Sequence, residues 1–299
     1  MVKYNPKAWI GLIFHSYSRH VVRTLFPVLG FMVGFAALMC YLVLDYFDLQ
    51  PHEFQGSTSV HSLLGIVLGL FLVFRTNSAY ERWWEGRKMW GSMVNSSRNL
   101  ALKINAYLHE DQKEEREWFA MMIPNFVFAM KEHLRTEVLI SDLDIPSKEF
   151  LLELNRAKHK PNKLASFLYI RVNQLYQNKT LTGDQLINMD KELKDFVDIM
   201  GACERIKNTP IPYSYSMFIK KFIFIYLITL PFGFITSFGY ITVPIVLLIS
   251  FILLSVELIA EEIEDPFGRD INDLPTDELA TRFRHNVREI LLNVPDIKH

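Results

Sequence analysis

Residues 62–91 read SLLGIVLGLFLVFRTNSAYERWWEGRKMWG, and this stretch decides the fold. It begins as an apolar helix of the membrane type and becomes a charged, aromatic helix without a proline or a turn signal. Residues 63–74 carry no polar side chain. At ~1.5 Å per residue they reach about 18 Å, well short of a hydrocarbon core of roughly 30 Å. If this helix crosses a bilayer, its polar continuation must be shielded by protein or face water, which makes it a candidate for lining a space.

The composition indicates a membrane protein with a soluble portion. The chain has 299 residues, a formal net charge of −1, 50% hydrophobic residues and a mean hydropathy of +0.12, with the apolar residues concentrated in a few blocks. Its charge balance gives no sign of a nucleic-acid partner. Cys40 and Cys203 lie in unrelated segments, which argues against a disulfide framework and favours a reducing cytoplasm around the soluble part.

Hydropathy and charge together predict four crossings of the cell membrane. The expected organisation is a cytosolic N-terminal arm (1–24), a first span (25–47), a second helix with its cytosolic extension (59–91), a cytosolic helical region (92–216), a third span (217–238), a fourth span (240–259) and a cytosolic C-terminal segment (260–299). The arm and the central region are rich in Lys and Arg, whereas residues 48–60 contain neither. The positive-inside rule therefore places both termini and the central region in the cytoplasm.

The remaining periodicity predicts an all-α fold. Gly30 and Gly34 form a GxxxG pair in the first span, which permits close helix approach. In the polar region no alternating strand pattern competes with the helical one. Helices are predicted over residues 92–108, 112–135, 147–155, 164–177 and 184–207, with a final amphipathic helix over 277–292.

One ridge of the opening stretch has i, i+4 spacing and contains Ile66, Leu70 and Phe74. Large apolar residues on such a ridge are able to meet symmetry mates around an axis and form a hydrophobic neck. Gly65 and Gly69 lie on an adjacent face and would let neighbouring helices pack closely. The alternative is an ordinary buried helix, because any apolar helix has ridges of this kind.

Acidic residues offer two further candidate sites. Glu81 and Glu85, one turn apart, are candidates for acidic rings facing permeating cations, or for ordinary support of a solvated helix face. Asp265, Asp270 and Asp273 follow the last span in an irregular segment that suits a divalent cation, although the EF-hand pattern is missing and a solvated helix end explains the run as well.

Aromatic residues and enzyme motifs complete the survey. Trp83, Trp84 and Trp90 are candidates for an interfacial belt or for the core of a helix bundle. His109-Glu110 has no second histidine at helical spacing, and no P-loop, dinucleotide fingerprint, GxSxG or CxxC is present. We therefore predict that the protein is not an enzyme.

Three separated segments resemble the prokaryotic and plant branch of the bestrophin family. They are FRTNSAYERWWEGRKMWG (residues 74–91), GACERIKNTPIPYSY (201–215) and AEEIEDPFGRDINDLP (260–275). Their order and their positions relative to the four apolar segments match the family over nearly the whole chain.

The resemblance implies a homopentameric, passive ion channel in the lipid bilayer that needs no cofactor. It places the neck of the pore on Ile66, Leu70 and Phe74, and a second, cytosolic constriction between about residues 181 and 187. In eukaryotic members a Ca²⁺ clasp follows the last span. Asp265, Asp270 and Asp273 match clasp positions, but Arg269, Ile271 and Asn272 thin the acidic cluster, so calcium control is not expected.

Selectivity is the open question. A neck of apolar side chains carries no fixed charge, so selection falls to the charges around it. Acids at the outer mouth (Asp45, Asp48 and Glu53) and Glu81 and Glu85 below the neck favour monovalent cations, as in bacterial relatives. Arg75 and Arg82 weaken this argument, because the sequence does not show which face they occupy. The alternatives are an anion channel, as in eukaryotic relatives, and a membrane scaffold or sensor that does not conduct.

Overall fold

The computed structural model describes residues 16–47, 57–136, 138 and 140–293. Within these ranges the chain is helical and contains no strand, which confirms the predicted all-α class. The α-helices are α1 (Ser16–Tyr41), α2 (Ser57–Tyr107), α3 (Lys113–Arg135), α4 (Lys148–Arg156), α5 (Lys160–Gln177), α6 (Gly183–Asn208), α7 (Tyr213–Phe238), α8 (Thr242–Glu264) and α9 (Thr276–Leu292). A π-helical turn, Leu42–Tyr46, follows α1.

Helix α2 runs through the opening stretch without a break for 51 residues. The helix predicted over residues 92–108 is confirmed over 92–107, where it forms the C-terminal part of α2. No proline interrupts the helix, so nothing removes a backbone hydrogen bond where the apolar part gives way to the polar part.

By length and composition, three helical stretches of the described chain suffice to cross a membrane: His20–Tyr46, Thr58–Tyr107 and Tyr213–Glu264. The third stretch contains a reversal between α7 and α8. Gly239 has a φ of +53° there, a backbone conformation that a residue with a Cβ rarely adopts. Lys220 near the start of α7 lies 3.0 Å from Glu261 near the end of α8, so the two helices form a hairpin.

The chain divides into two compact units. The first comprises the described residues up to Trp83 together with Pro210–Asp265 and Asp270–Asn272. Its core is aliphatic and draws on α1, the apolar part of α2, α7 and α8, with Met32, Leu68, Leu227 and Val246 all buried. Burial of apolar side chains at about 25 cal/mol per Å² stabilises this arrangement.

Helix α2 packs closely on α7 at two glycines. A Cβ on Gly65 would lie 2.8 Å from Tyr226 Oη, and one on Gly233 would lie 2.8 Å from His61 Nδ1. Thr58 Oγ1 donates to the Gly233 carbonyl at 2.5 Å. The prediction of close packing is thus confirmed for Gly65, whereas a Cβ on Gly69 would have no neighbour within 4 Å in the described part of the chain.

The second unit comprises Trp84–Thr209, Pro266–Arg269 and the described residues from Asp273 onward. Helix α3 is its central element, because most of its residues from Phe119 to Leu134 are buried. It packs against α5, α6 and α9. Asn125 is fully buried and exchanges two hydrogen bonds with the backbone of Asp144, at 2.7 and 2.9 Å, which satisfies its amide in the apolar surroundings.

Candidate functional site

The predicted ridge lies on the exposed face of α2. Ile66, Leu70 and Phe74 are 72%, 57% and 55% exposed, although all three are large and apolar. On the other side of the same helix Leu68 and Leu72 are buried in the core of the first unit. Within the described part of one chain the three side chains of the ridge are therefore exposed, whereas the opposite side of the helix is packed.

Helix geometry shows which charged residues near the ridge lie on the same face of α2. At about 100° per residue, Glu81 falls within about 25° of the mean direction of Ile66, Leu70 and Phe74, whereas Arg75 falls on the opposite side. Glu81 is exposed and Arg75 is 1% exposed. An acid therefore shares the face of the ridge, and the nearest arginine does not.

Arg75 is held inside the first unit by two acids of α8. Its Nη2 lies 2.7 Å from Glu264 Oε2, and its Nε lies 3.5 Å from Glu257 Oε1. Glu257 is buried and Glu264 is largely shielded, with side chains 8% and 17% exposed. A guanidinium between two shielded carboxylates is the arrangement in which a buried charge is compensated.

Glu264 joins all three segments that carry the resemblance. Its Oε2 binds Arg75, and its Oε1 accepts from the Ile211 backbone N–H at 2.9 Å. Its carbonyl accepts from Arg82 Nε at 3.0 Å. Arg75 and Arg82 belong to the first segment, Ile211 to the second and Glu264 to the third. In the sequence Glu264 is one acid among several in the third segment, and no spacing relates it to Arg75, Arg82 or Ile211.

Arg75 and Arg82, the two positive charges closest to the ridge in sequence, thus both bind Glu264 of α8. Trp83 is positioned by the residues that follow α8, because its Nε1 donates to the Asn272 carbonyl at 2.9 Å. Asn272 Nδ2 in turn donates to Glu262 Oε2 at 2.7 Å. The acids of residues 257–264 therefore serve largely to hold α2 and the segment that follows α8.

The second unit contains the other acid predicted beside the pore. Glu85 Oε1 lies 2.7 Å from Arg205 Nη2, in a pair whose side chains are 39% and 67% exposed. Its charge is thus partly neutralised, unlike that of a lone acid. Of the tryptophans in this unit, Trp90 is fully buried and meets the Phe283 ring edge-on at 6.3 Å, whereas Trp84 is half exposed. The bundle-core interpretation is confirmed for Trp90.

Residues 181–187, where the resemblance places a cytosolic constriction, span the start of α6. Thr182 caps the helix, accepting from the Gln185 backbone N–H, while the Gln185 side chain accepts from Thr182 N–H. Leu181 is buried, whereas Ile187 is 70% exposed. In this window Ile187 is therefore the large apolar side chain that is available to contact something outside the chain.

The remaining predicted site residues lie as follows. Asp265 and Asp270 are exposed and Asp273 is buried, and a divalent cation there stays a prediction. Asp45, predicted at the outer mouth, accepts a hydrogen bond from the Tyr240 hydroxyl. The other two acids of that group, Asp48 and Glu53, lie outside the described residues.

The described part of the chain is all-helical and has three helical stretches long and apolar enough to cross a membrane, which is typical of an integral membrane protein. A family model described as Bacterial/Fungal Bestrophin protein matches residues 1–289. The chain belongs to this family, and the resemblance stated from the three segments is confirmed.

Relatives and solved structures agree with this assignment. A protein of Nostoc sp. named voltage-dependent anion channel-forming protein alr2987 is 40% identical over 237 residues, covering 78% of this chain and 77% of its own. The Escherichia coli K12 protein YneE, with the same descriptive name, is 32% identical over 220 residues and covers 73% and 72%. A bacterial bestrophin homolog from Klebsiella pneumoniae superimposes with a TM-score of 0.80 at 25% identity, over 89% of this chain and 98% of that one.

Proposed function

We propose that this protein is a passive ion channel formed by five copies of the chain around a central axis, with Ile66, Leu70 and Phe74 of each copy lining a hydrophobic neck. The observation that carries the proposal is the exposure of this apolar ridge on a membrane-type helix. Lipid would tolerate such a face, but it would not tolerate the polar side chains that follow on the same face, beginning at Asn77 and Glu81.

In this arrangement α1, the apolar part of α2, α7 and α8 are the four crossings of the cell membrane. Helices α7 and α8 have 26 and 23 residues, each enough to span a bilayer. The basic N-terminal arm and residues 92–216 lie in the cytoplasm, as do both termini. Gly30 and Gly34 support assembly, because a Cβ added at either would meet nothing within 4 Å among the described residues, which leaves both open to an adjacent subunit.

The neck acts by dewetting. Rings of apolar side chains repel water when the pore is narrow, so ions pass only when the ring wets or the side chains rotate aside. Arg75 sets the rotation of α2, because its ion pairs with α8 fix the side of the helix opposite the ridge. In the cytosolic part Ile187 is the candidate for the second constriction, since it is the exposed apolar side chain of its window.

For selectivity we propose a preference for monovalent cations. Glu81 shares the face of the ridge and is exposed, while Arg75 and Arg82 are held by α8. Anion conduction is the second candidate, and the descriptive names of the relatives from Nostoc and Escherichia coli favour it. The two candidates share the same neck and differ in the charge that surrounds it.

The test is the current through purified full-length protein in a planar lipid bilayer with asymmetric KCl. A current with a reversal potential toward the potassium equilibrium potential supports the cation channel, and the opposite sign supports the anion channel. Absence of current from protein that is shown to be folded and oligomeric overturns the channel and leaves a non-conducting membrane scaffold or sensor. Native mass spectrometry of the same sample counts the subunits.

A further inference from the structure

The second unit contains a compact group of two histidines and one glutamate. His133, His159 and Glu204 each offer one ligand atom, and these atoms lie within 4.8 Å of one another. Among the described residues, one group of three or more potential metal ligands has this geometry, and it is this one. Each comes from a different helix: His133 lies near the end of α3, His159 caps the start of α5, and Glu204 lies on α6.

The geometry points to a zinc site: we propose that His133 Nε2, His159 Nε2 and the Glu204 carboxylate bind one Zn²⁺ per chain, with water at the fourth position. Two imidazoles and one carboxylate are a ligand set that zinc uses in proteins when it keeps an open position. Side chains of this kind also bind other late transition metals, but zinc is the one that favours four-coordinate tetrahedral geometry without redox chemistry.

The distances fit with a small adjustment. Both Nε2 atoms lie on the same carboxylate oxygen, at 2.7 Å from His133 and 2.8 Å from His159, and the imidazole centroids are 4.5 Å apart. Ligand atoms around a tetrahedral zinc with bonds of about 2.0–2.1 Å are separated by roughly 3.3 Å. Each Nε2 atom therefore needs to move away from the Glu204 oxygen by only about half an ångström to admit the ion.

The charges of the group also suit a metal, because Glu204 supplies one acidic side chain beside two imidazoles. Zinc would leave the site with a net charge of +1 from one anionic and two neutral ligands.

Binding requires a change of tautomer at His159. Its Nδ1 accepts a hydrogen bond from the Asn162 backbone N–H at 3.1 Å, so its proton is on Nε2 in the absence of metal. With zinc on Nε2 the proton moves to Nδ1 and this cap of α5 is lost. The bound ion would connect α3, α5 and α6, the last of which carries Ile187.

The test is isothermal titration of ZnCl₂ into chelator-treated full-length protein in lipid nanodiscs, near neutral pH. We expect saturable binding of one zinc per chain and a higher unfolding temperature with zinc. Two variants keep the local structure while removing a ligand. His159→Asn retains a side chain that caps a helix, and Glu204→Gln retains an acceptor oxygen for both histidines. Each should weaken binding by more than the roughly 10–100-fold that loss of an outer-shell partner costs.

His109→Ala is the matched control, because His109 is an exposed histidine outside the group. It should bind zinc like the parent protein. The proposal is overturned if the parent binds no zinc, or if both ligand variants, folded as judged by their unfolding temperature without metal, bind it as tightly as the control.

Discussion

Arg75 Nη2 lies 2.7 Å from Glu264 Oε2 and the arginine is 1% exposed, while Phe74, its neighbour in the chain, is 55% exposed. Adjacent residues on a helix point about 100° apart, so an anchored Arg75 fixes the direction of Phe74. A single orientation of α2 about its own axis therefore both buries the ion pair of Arg75 and exposes the apolar ridge. The first prediction tests the anchor and the second tests the ridge.

Replacing Arg75 with Met should destabilise the protein strongly. The substitution keeps the length of the side chain but leaves Glu257 and Glu264 without their shared cation. Removing one partner of a buried ion pair costs about 3–5 kcal/mol, because the remaining charge stays shielded from water. Equilibrium unfolding in detergent measures the loss. Arg98→Met, an exposed arginine on the same helix, is the control and should change the free energy of unfolding little. Equal losses in the two variants would contradict the anchor.

Truncating the side chains that line the neck should widen it and raise the current. Phe74→Ala and Ile66→Ala each widen a ring of apolar side chains, which lowers the barrier to wetting, and single-channel conductance should rise by roughly severalfold. Phe224→Ala is a matched control, because Phe224 on α7 is also 55% exposed and lies on a helix that is not proposed to line the pore. Bilayer recordings make the comparison. Unchanged conductance in both neck variants, or an equal rise in the control, would refute the neck.

The ridge could be predicted from the sequence because it is a property of one helix. Spacing alone shows that Ile66, Leu70 and Phe74 share a face, and the structure adds that all three side chains are exposed. The partners of Arg75 could not be predicted in this way. Glu257 and Glu264 lie on α8, far along the chain, and periodicity does not reveal which helix packs against which.

The same limit explains the group of His133, His159 and Glu204. No two of these residues share a helix, so no motif spacing relates them, and the histidines look scattered in the sequence. The helix predicted over residues 92–108 continues α2 for a local reason. Polar composition changes along α2, but composition does not end a helix when no proline or turn sequence is present.

Neutralising Glu81 should shift selectivity more than neutralising Glu85. Glu81 is exposed on the face of the ridge, whereas Glu85 is paired with Arg205 at 2.7 Å. If cations are preferred, Glu81→Gln should move the reversal potential in asymmetric KCl toward the chloride potential, because a fixed negative charge near the path is lost. Glu85→Gln should move it less. A larger shift from Glu85, or none from either, would contradict the role given to Glu81.

A methyl group at Gly65 should disturb the packing of α2 on α7. The new Cβ would lie 2.8 Å from Tyr226 Oη, and Tyr226 is buried, so the ring has little room to move. Overpacking of this kind costs about 1–3 kcal/mol. The second substitution Tyr226→Phe removes the clashing oxygen and should recover most of the loss in a double-mutant cycle. Thermal unfolding of the four proteins measures the coupling, and an additive result would show that the clash is relieved in some other way.

Acid should weaken the second unit through Asp277. Bidentate hydrogen bonds from Arg135, at 2.9 and 2.6 Å, are the largest influence on this carboxyl, and Lys131 adds another at 2.8 Å. Together they outweigh burial and hold the pKa of Asp277 well below its usual range. Since the pKa is depressed in the folded state, the stabilisation is present above the unfolded pKa of about 3.9 and is lost as the pH falls toward the folded value.

The free energy of unfolding of the parent protein should therefore fall more steeply below about pH 4 than that of Asp277→Asn, which has no carboxyl to titrate. Asp198→Asn, which removes a carboxyl from an exposed pair with Lys194, should keep the slope of the parent. Parallel slopes for the parent and Asp277→Asn would show that this ion pair does not contribute to the acid sensitivity of the fold.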